Sequence, residues 1–244
     1  MDADERGDGV DLQRVGRRES GRASGVGRRE NLSQDAARHI RDLILSGGLR
    51  PGERIDQDSI AADLELSRLP IREALLILES EGLVDNRARR GSYVAAITPD
   101  DIRDHFEMYG LLSGLAARHA VGALGEEEID EIEQIAKQIG VSQDPEKQDQ
   151  LNFRFHQLIN RAGSSRRLLL TLRMLSQAMP THFFDYDGTV AARSLEEHSE
   201  IVTALRDRDA DQAAEAMRDH FQSVGAIAVD MLKSSGFWDD TTVT

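Results

Sequence analysis

Two groups of side chains have the residue types and spacing to do chemistry. Arg68 and Arg72 stand four residues apart in SRLPIREALLIL, so on a helix they leave from one side, opposite Ile71, Leu75 and Leu78. A guanidinium fork near the start of a helix matches paired acceptors such as guanine O6 and N7 in a DNA major groove. Ser67 precedes them as a helix N-cap, and Arg87, Arg89 and Arg90 crowd a short turn closed by Gly91, placing cations where phosphates or a minor groove could be met. Arg38 and Arg41, on an earlier helix, are candidates for further backbone contacts. The second group lies downstream. Asn152 and His156 are spaced i, i+4 in NFRFH, His198 lies in EEHSEI and His220 in RDHF. Three imidazoles and an amide oxygen converging from three helices would form a donor set suited to zinc, or to nickel or another first-row divalent ion. Each pattern alone has a plain alternative. Two arginines on a helix are commonly a solvated face paired with acids, and histidines spread over bundle helices more often pack or face water than bind metal.

The bulk properties limit what these groups can do. The 244 residues carry a formal charge of −14, and the acids are unevenly placed. Residues 1–32 balance seven Arg against seven acids, residues 33–98 hold nine Arg against eleven acids, and residues 99–244 hold 14 Lys/Arg against 26 acids. Nucleic-acid binding therefore depends on where a few arginines sit, not on overall charge. There is no Cys, which excludes disulfides and thiolate metal sites. No stretch approaches the apolar length of a membrane span, and no signal-peptide core is present, so a cytoplasmic protein with no membrane contact is expected.

The elements that must position these residues follow from apolar periodicity and caps. Residues 1–32 are rich in Gly, Arg and acids without an apolar period, and are expected as a disordered tail that could touch phosphates. A first helix is expected from an N-cap at Ser33, with Ala36, Ile40, Leu43 and Ile44 inward and Gly47-Gly48 as its stop. Pro51-Gly52 is a turn. A short helix buries Ile60, Ala61 and Leu64, and a third, with Pro70 in its first turn, buries Ile71, Ala74, Leu75 and Leu78 before Gly82. Leu83-Val84 and Tyr93-Val94 flank the polar turn as a small hairpin. From Thr98-Pro99 onward the pattern is helical, with helices expected near 99–121, 125–139, 145–162, 165–180, 190–207 and 209–234. The fold class is mainly α: a winged helix-turn-helix over 33–98, an all-α bundle of six to seven helices over 99–236, and a C-terminal tail over 237–244.

The stretch RPGERIDQDSIAADLELSRLPIREALLILESEGLV, with the wing RRGSYV, resembles the N-terminal domain of the GntR regulators. The match rests on Pro51-Gly52-Glu53, Ile60-Ala61, Ser67-Arg68-x-Pro70-Ile71-Arg72-Glu73-Ala74-Leu75, Leu78-Glu79-x-Glu81-Gly82-Leu83-Val84, and Gly91. The resemblance implies that Ser67, Arg68 and Arg72 contact an operator and that Gly91 lets the wing approach closely. The remainder is similar to the FCD ligand-binding domain of the FadR subgroup. There, an Asp or Asn four residues before a histidine, that histidine and two later ones hold a metal, which implies Asn152, His156, His198 and His220 here. The first helix of that domain carries E-L-R-x-x-L-E-x-x-A in the family; here Tyr109 stands for its Arg and Ser113 for its second Glu. The resemblance therefore implies a small-molecule effector, with a carboxylate as the candidate class and Tyr109 as a candidate contact.

The expected function is that of a DNA-binding transcription regulator. Homodimers would read a palindromic operator, with an effector acting through a metal-containing site. A metal-free regulator binding an acyl-CoA-type ligand is the alternative. A zinc hydrolase, with Glu196, Glu197 or Glu200 beside His198 as base, is a further one, although HExxH is absent.

Overall fold

A computed structural model describes residues 20–177 and 190–238. α1 (Ser20–Leu45), α2 (Gln57–Asp63) and α3 (Arg68–Ser80) form a trihelical unit, followed by the antiparallel strands β1 (Val84–Arg87) and β2 (Gly91–Val94). Ala36, Ala37, Ile40 and Ile44 of α1 bury against Ile71, Ala74, Leu75 and Leu78 of α3. The strands pair Val84 with Val94 and Arg87 with Gly91, so the arginine-bearing turn is the hairpin tip. Arg89 has φ 62°, the left-handed conformation that a type II turn places at its third residue. Gly91 has φ 100°, which disfavours any side chain there. Backbone bonds from Val94 N to Glu53 O and from Ile55 N to Ser92 O, both 2.9 Å, seat residues 53–55 alongside the hairpin, a pairing that the Pro51-Gly52 turn alone did not announce.

The structure departs from the sequence-based expectation at three places. α1 reaches back to Ser20, so residues 20–32 belong to a helix and Ser33 is a buried interior residue bonded to Glu73, not a cap; residues 1–19 lie outside the described part. Extending an existing packed helix carries no nucleation cost, which is how a Gly-rich segment can continue it. Arg41 does not face outward toward DNA. It is buried against Glu81 at the end of α3, with Nε and Nη2 at 3.0 and 2.7 Å from the two carboxylate oxygens. Residues 237 and 238, expected in a C-terminal tail, are packed: Phe237 is buried, and Trp238 donates its indole N–H to the Ile97 carbonyl at 2.8 Å.

The second unit is built from α4 (Pro99–Ala123), α5 (Glu126–Val141), α6 (Pro145–Gly163), α7 (Arg166–Gln177), α8 (Val190–Arg206) and α9 (Ala210–Ser234). The far end of the helix expected over 165–180, the break at Asp185–Gly188, and His182 fall outside the described residues. Thr98 and Asp101 form a capping box with Pro99 at the first turn of α4, while Asp144 and Asp209 cap α6 and α9. α4 is the central helix, packed on α6 and most extensively on α9. Contact that close requires small residues. A Cβ on Gly114 would lie 2.7 Å from the Ala214 carbonyl oxygen, and one on Gly225 would lie 2.9 Å from Phe106 Cβ. Among the described residues no helix is long and apolar enough to cross a membrane.

Candidate metal centre and nucleic-acid interface

In the trihelical unit, α3 presents its N-terminal end to solvent. Ser67 occupies the N-cap with extended backbone but makes no capping hydrogen bond through its side chain, and Ser67, Arg68 and Arg72 are all exposed. Arg68 is engaged with Asp58 of α2, Nε to Oδ1 at 2.6 Å and Nη2 to Oδ2 at 2.8 Å, an exposed pair that costs little to open. Arg72 has no carboxylate partner among the described residues. On the hairpin, Arg87 lies over the Tyr93 ring at 4.3 Å, and Arg89 and Arg90 are exposed at the tip. Asn86 links strand to helix: its amide donates to Glu79 Oε2 at 2.9 Å, and its oxygen accepts from Ser92 Oγ at 2.6 Å. The two arginine groups are thus carried by one braced body. Arg38 pairs with Asp35 at 3.3 Å on the surface of α1.

In the bundle, His156 of α6, His198 of α8 and His220 of α9 converge, with one ring nitrogen from each lying within 4.8 Å of the others. All three are buried. His220 and His156 bring their Nε2 atoms to 3.1 Å. Two nitrogens bound to one ion at about 2.0–2.1 Å stand roughly 3 Å apart, so that separation fits shared coordination. On its other side His220 Nδ1 lies 2.7 Å from Glu197 Oε2. An ionised carboxylate only accepts, so Nδ1 carries the proton and Nε2 turns its lone pair toward the cluster. Both ring nitrogens of His198, His156 Nδ1 and Asn152 Oδ1 are buried without a hydrogen-bond partner, a combination that ordinary cores avoid. Burial holds His156 and His198 well below the usual imidazole range, and the neighbouring His220 lowers both further. Neutral imidazoles are the ligating form. Asn152, Glu197 and His220 line a small cavity of about 20 Å³, room for an ion or a water. The donor set fits a divalent first-row metal.

Tyr109 lies one helix away on α4, buried edge-to-face against Phe221, and burial pushes its hydroxyl up to about 12. Asn160 donates to Tyr109 Oη and to Ser113 Oγ, each at 3.4 Å, while Asn160 Oδ1 has no partner. Tyr109 and Ser113 of this neutral polar trio occupy the positions where the resemblance led to an Arg and a Glu, and the part played by Asn160 was not read from the sequence. Tyr109 and His156 share a cavity of about 80 Å³, with Arg161 and Arg173 also among its lining residues. Glu197 was likewise missed as the partner of His220. Its position immediately before His198 was the available signal, since one helical step turns it toward the neighbouring helix. His105 and His119 are ordinary residues, each with a ring nitrogen 3.1 Å from a backbone carbonyl, of Leu175 and Gly163 respectively.

A braced winged helix-turn-helix, followed by a helical bundle with buried histidines at its centre, places the chain among two-domain DNA-binding proteins. Comparison with known families specifies which. Residues 32–94 match the gntR family of bacterial regulatory proteins, and residues 104–223 match the FCD domain. An uncharacterized HTH-type transcriptional regulator of Mycobacterium tuberculosis is 30% identical over 146 residues, a match spanning 60% of this chain and 60% of that protein's length. The HTH-type transcriptional repressor RspR of Escherichia coli is 24% identical, covering 85% of this chain and 93% of the repressor. Among solved structures, E. coli McbR/YncC superposes with a TM-score of 0.64 at 20% identity, covering 82% of this chain and 97% of that one. The chain carries a GntR-family helix-turn-helix domain joined to a C-terminal FCD domain. Its relatives and both domains are those of transcriptional regulators, not of enzymes.

Proposed function

We propose that this protein is a FadR-type, cytoplasmic transcription regulator that binds a palindromic operator as a homodimer, under the control of a small effector at a metal centre in the bundle. The observation that carries the reading is the buried three-histidine cluster with its orphaned nitrogens, lying in the same chain as an exposed Arg72 on a helix-turn-helix. Asn152, His156, His198 and His220 would hold the ion, with zinc the first candidate, and Glu197 orients His220. When bound, the ion would supply Lewis-acid attraction for an oxygen of the effector. Arg161 and Arg173 add positive charge for a carboxylate on that effector, and Tyr109 offers a neutral hydroxyl. The cavity of about 80 Å³ falls well short of the several hundred Å³ that larger ligands occupy, which weighs against an acyl-CoA.

Ser67, Arg68 and Arg72 would meet the major groove, and Arg87, Arg89, Arg90 and the Gly91 turn the flanking backbone or minor groove. A module so poor in cations depends on pairing. Met108, Leu111 and Leu115 form an exposed apolar stripe at i, i+3 and i+7 on α4, suited to a twin copy. α9 supplies the route between the two functions: it carries His220 in its middle and Met231 at its far end beside His39 and Asp42 of α1. The turn after it holds Trp238 on Ile97, where the two units join. A shift of α9 at the histidines therefore reaches the seat of the DNA-binding unit. Titrating operator duplex with and without saturating zinc and candidate carboxylates tests this coupling. The affinity is expected to change, and an affinity indifferent to both would refute the coupling. Arg72→Ala is expected to cost about 1–3 kcal/mol on operator and to relax sequence preference; an equal loss on random DNA would reduce Arg72 to a phosphate contact.

A further inference from the structure

α3 turns an unusual face away from the core. Pro70, Ile71, Ala74, Leu75 and Leu78 make up its buried side. At roughly 100° per residue, Leu69, Arg72 and Leu76 fall within about 60° of one another on the opposite side. Leu69 is 46% exposed and Leu76 61% exposed, and neither belongs to the hydrophobic core or packs against it. Leu69 is the second residue of the helix, flanked by Arg68 and one turn before Arg72. Whatever covers Arg72 in a complex therefore covers Leu69 as well. Such a partner must offer hydrogen-bond acceptors and an apolar group on adjoining positions. The edges of base pairs in the major groove do so, with guanine O6 and N7 beside the 5-methyl group of thymine. Leu76 lies about 6 Å beyond Arg72 along the axis, farther from the N-terminal end by which a recognition helix meets base edges.

We infer that Leu69 is a specificity-determining residue that packs on a thymine methyl group next to the base met by Arg72. The inference rests on the reading of the Arg68–Arg72 face as the DNA face. It gives this helix an apolar preference that its arginines alone would not produce.

The test uses the full-length protein and duplexes enriched by it from a random pool. Each thymine of the enriched half-site is replaced in turn by uracil, which keeps the pairing and lacks the methyl. One thymine per half-site is expected to lose about fourfold in affinity on replacement, the worth of one buried methyl. Leu69→Ala, at an exposed position that leaves the core untouched, is expected to bind the thymine and uracil duplexes equally. Indifference of the parent protein to uracil at every position overturns the inference, as does a loss of the same size in Leu69→Ala. Failure of the parent to enrich any sequence would instead remove the DNA-face reading beneath it.

Discussion

Replacing Arg41 by Met separates the two roles open to this residue, operator contact or internal brace. The side chains of Arg41 and Glu81 are only 9% and 8% exposed, and three hydrogen bonds of 2.7 to 3.0 Å join them. Removing one partner leaves a buried carboxylate uncompensated, at a cost of about 3–5 kcal/mol. The double change Arg41→Met with Glu81→Leu replaces the pair by apolar groups and is expected to recover most of that loss. Urea unfolding followed by circular dichroism reads both. The penalty also has a definite pH dependence. Burial already pushes the Glu81 carboxyl above its ordinary value, outweighing the hydrogen bonds and charge of Arg41 that pull it down. With Arg41 gone only the upward push remains. A carboxyl raised in the folded state favours folding below its unfolded pKa and loses that contribution as pH rises through the folded value. The gap between Arg41→Met and the parent should therefore be wide near pH 7 and narrow toward about pH 4.5. An Arg41→Met protein of unchanged stability but weakened operator affinity would refute the reasoning and return Arg41 to the DNA.

Further expectations concern the bundle. Glu197→Gln keeps an acceptor for His220 but removes the charge, so zinc affinity should fall about 10- to 100-fold in a chelator competition; an unchanged affinity would deny Glu197 its orienting role. In metal-stripped protein, His156 and His198 are held neutral by burial while the unfolded chain titrates near 6.5. The unfolded state then takes up the protons, so stability should decline by about 1.4 kcal/mol per pH unit for each histidine as pH falls below 6.5, and a flat urea profile between pH 7 and pH 5.5 would contradict this. Trp238→Phe removes the bond to Ile97 at a cost of about 0.5–1.5 kcal/mol, and should shrink the zinc-dependent change in operator affinity; an undiminished change would show that the coupling runs elsewhere.

The helices were legible because their signals are local. Apolar residues recur at the helical period, and Thr98-Pro99, Asp144-Pro145 and Asp209 mark starts that depend on only a few neighbouring residues. The histidine cluster was legible for a different reason. Spacing placed Asn152 and His156 on one side of α6, but only the resemblance joined them to His198 and His220 on other helices. What stayed hidden depends on contacts between residues distant in the chain. Arg41 could not be taken from the DNA face without its partner Glu81, forty residues on. Asn160 gains meaning only against Tyr109 and Ser113 of α4, and Trp238 only against Ile97, 141 residues earlier. The start of α1 was misplaced because Gly and charge argue for disorder one residue at a time, whereas a helix already anchored by Ala36, Ile40 and Ile44 can extend without a new nucleus.

The central claim is that the three histidines form a resident metal centre, and the most direct measurement of it is the metal content of purified full-length protein, before and after zinc titration and gel filtration. About one equivalent per chain is expected, lost in His198→Ala, whose substituted side chain is the one with both ring nitrogens unpartnered. Less than about 0.2 equivalents, unimproved by added zinc, would contradict it.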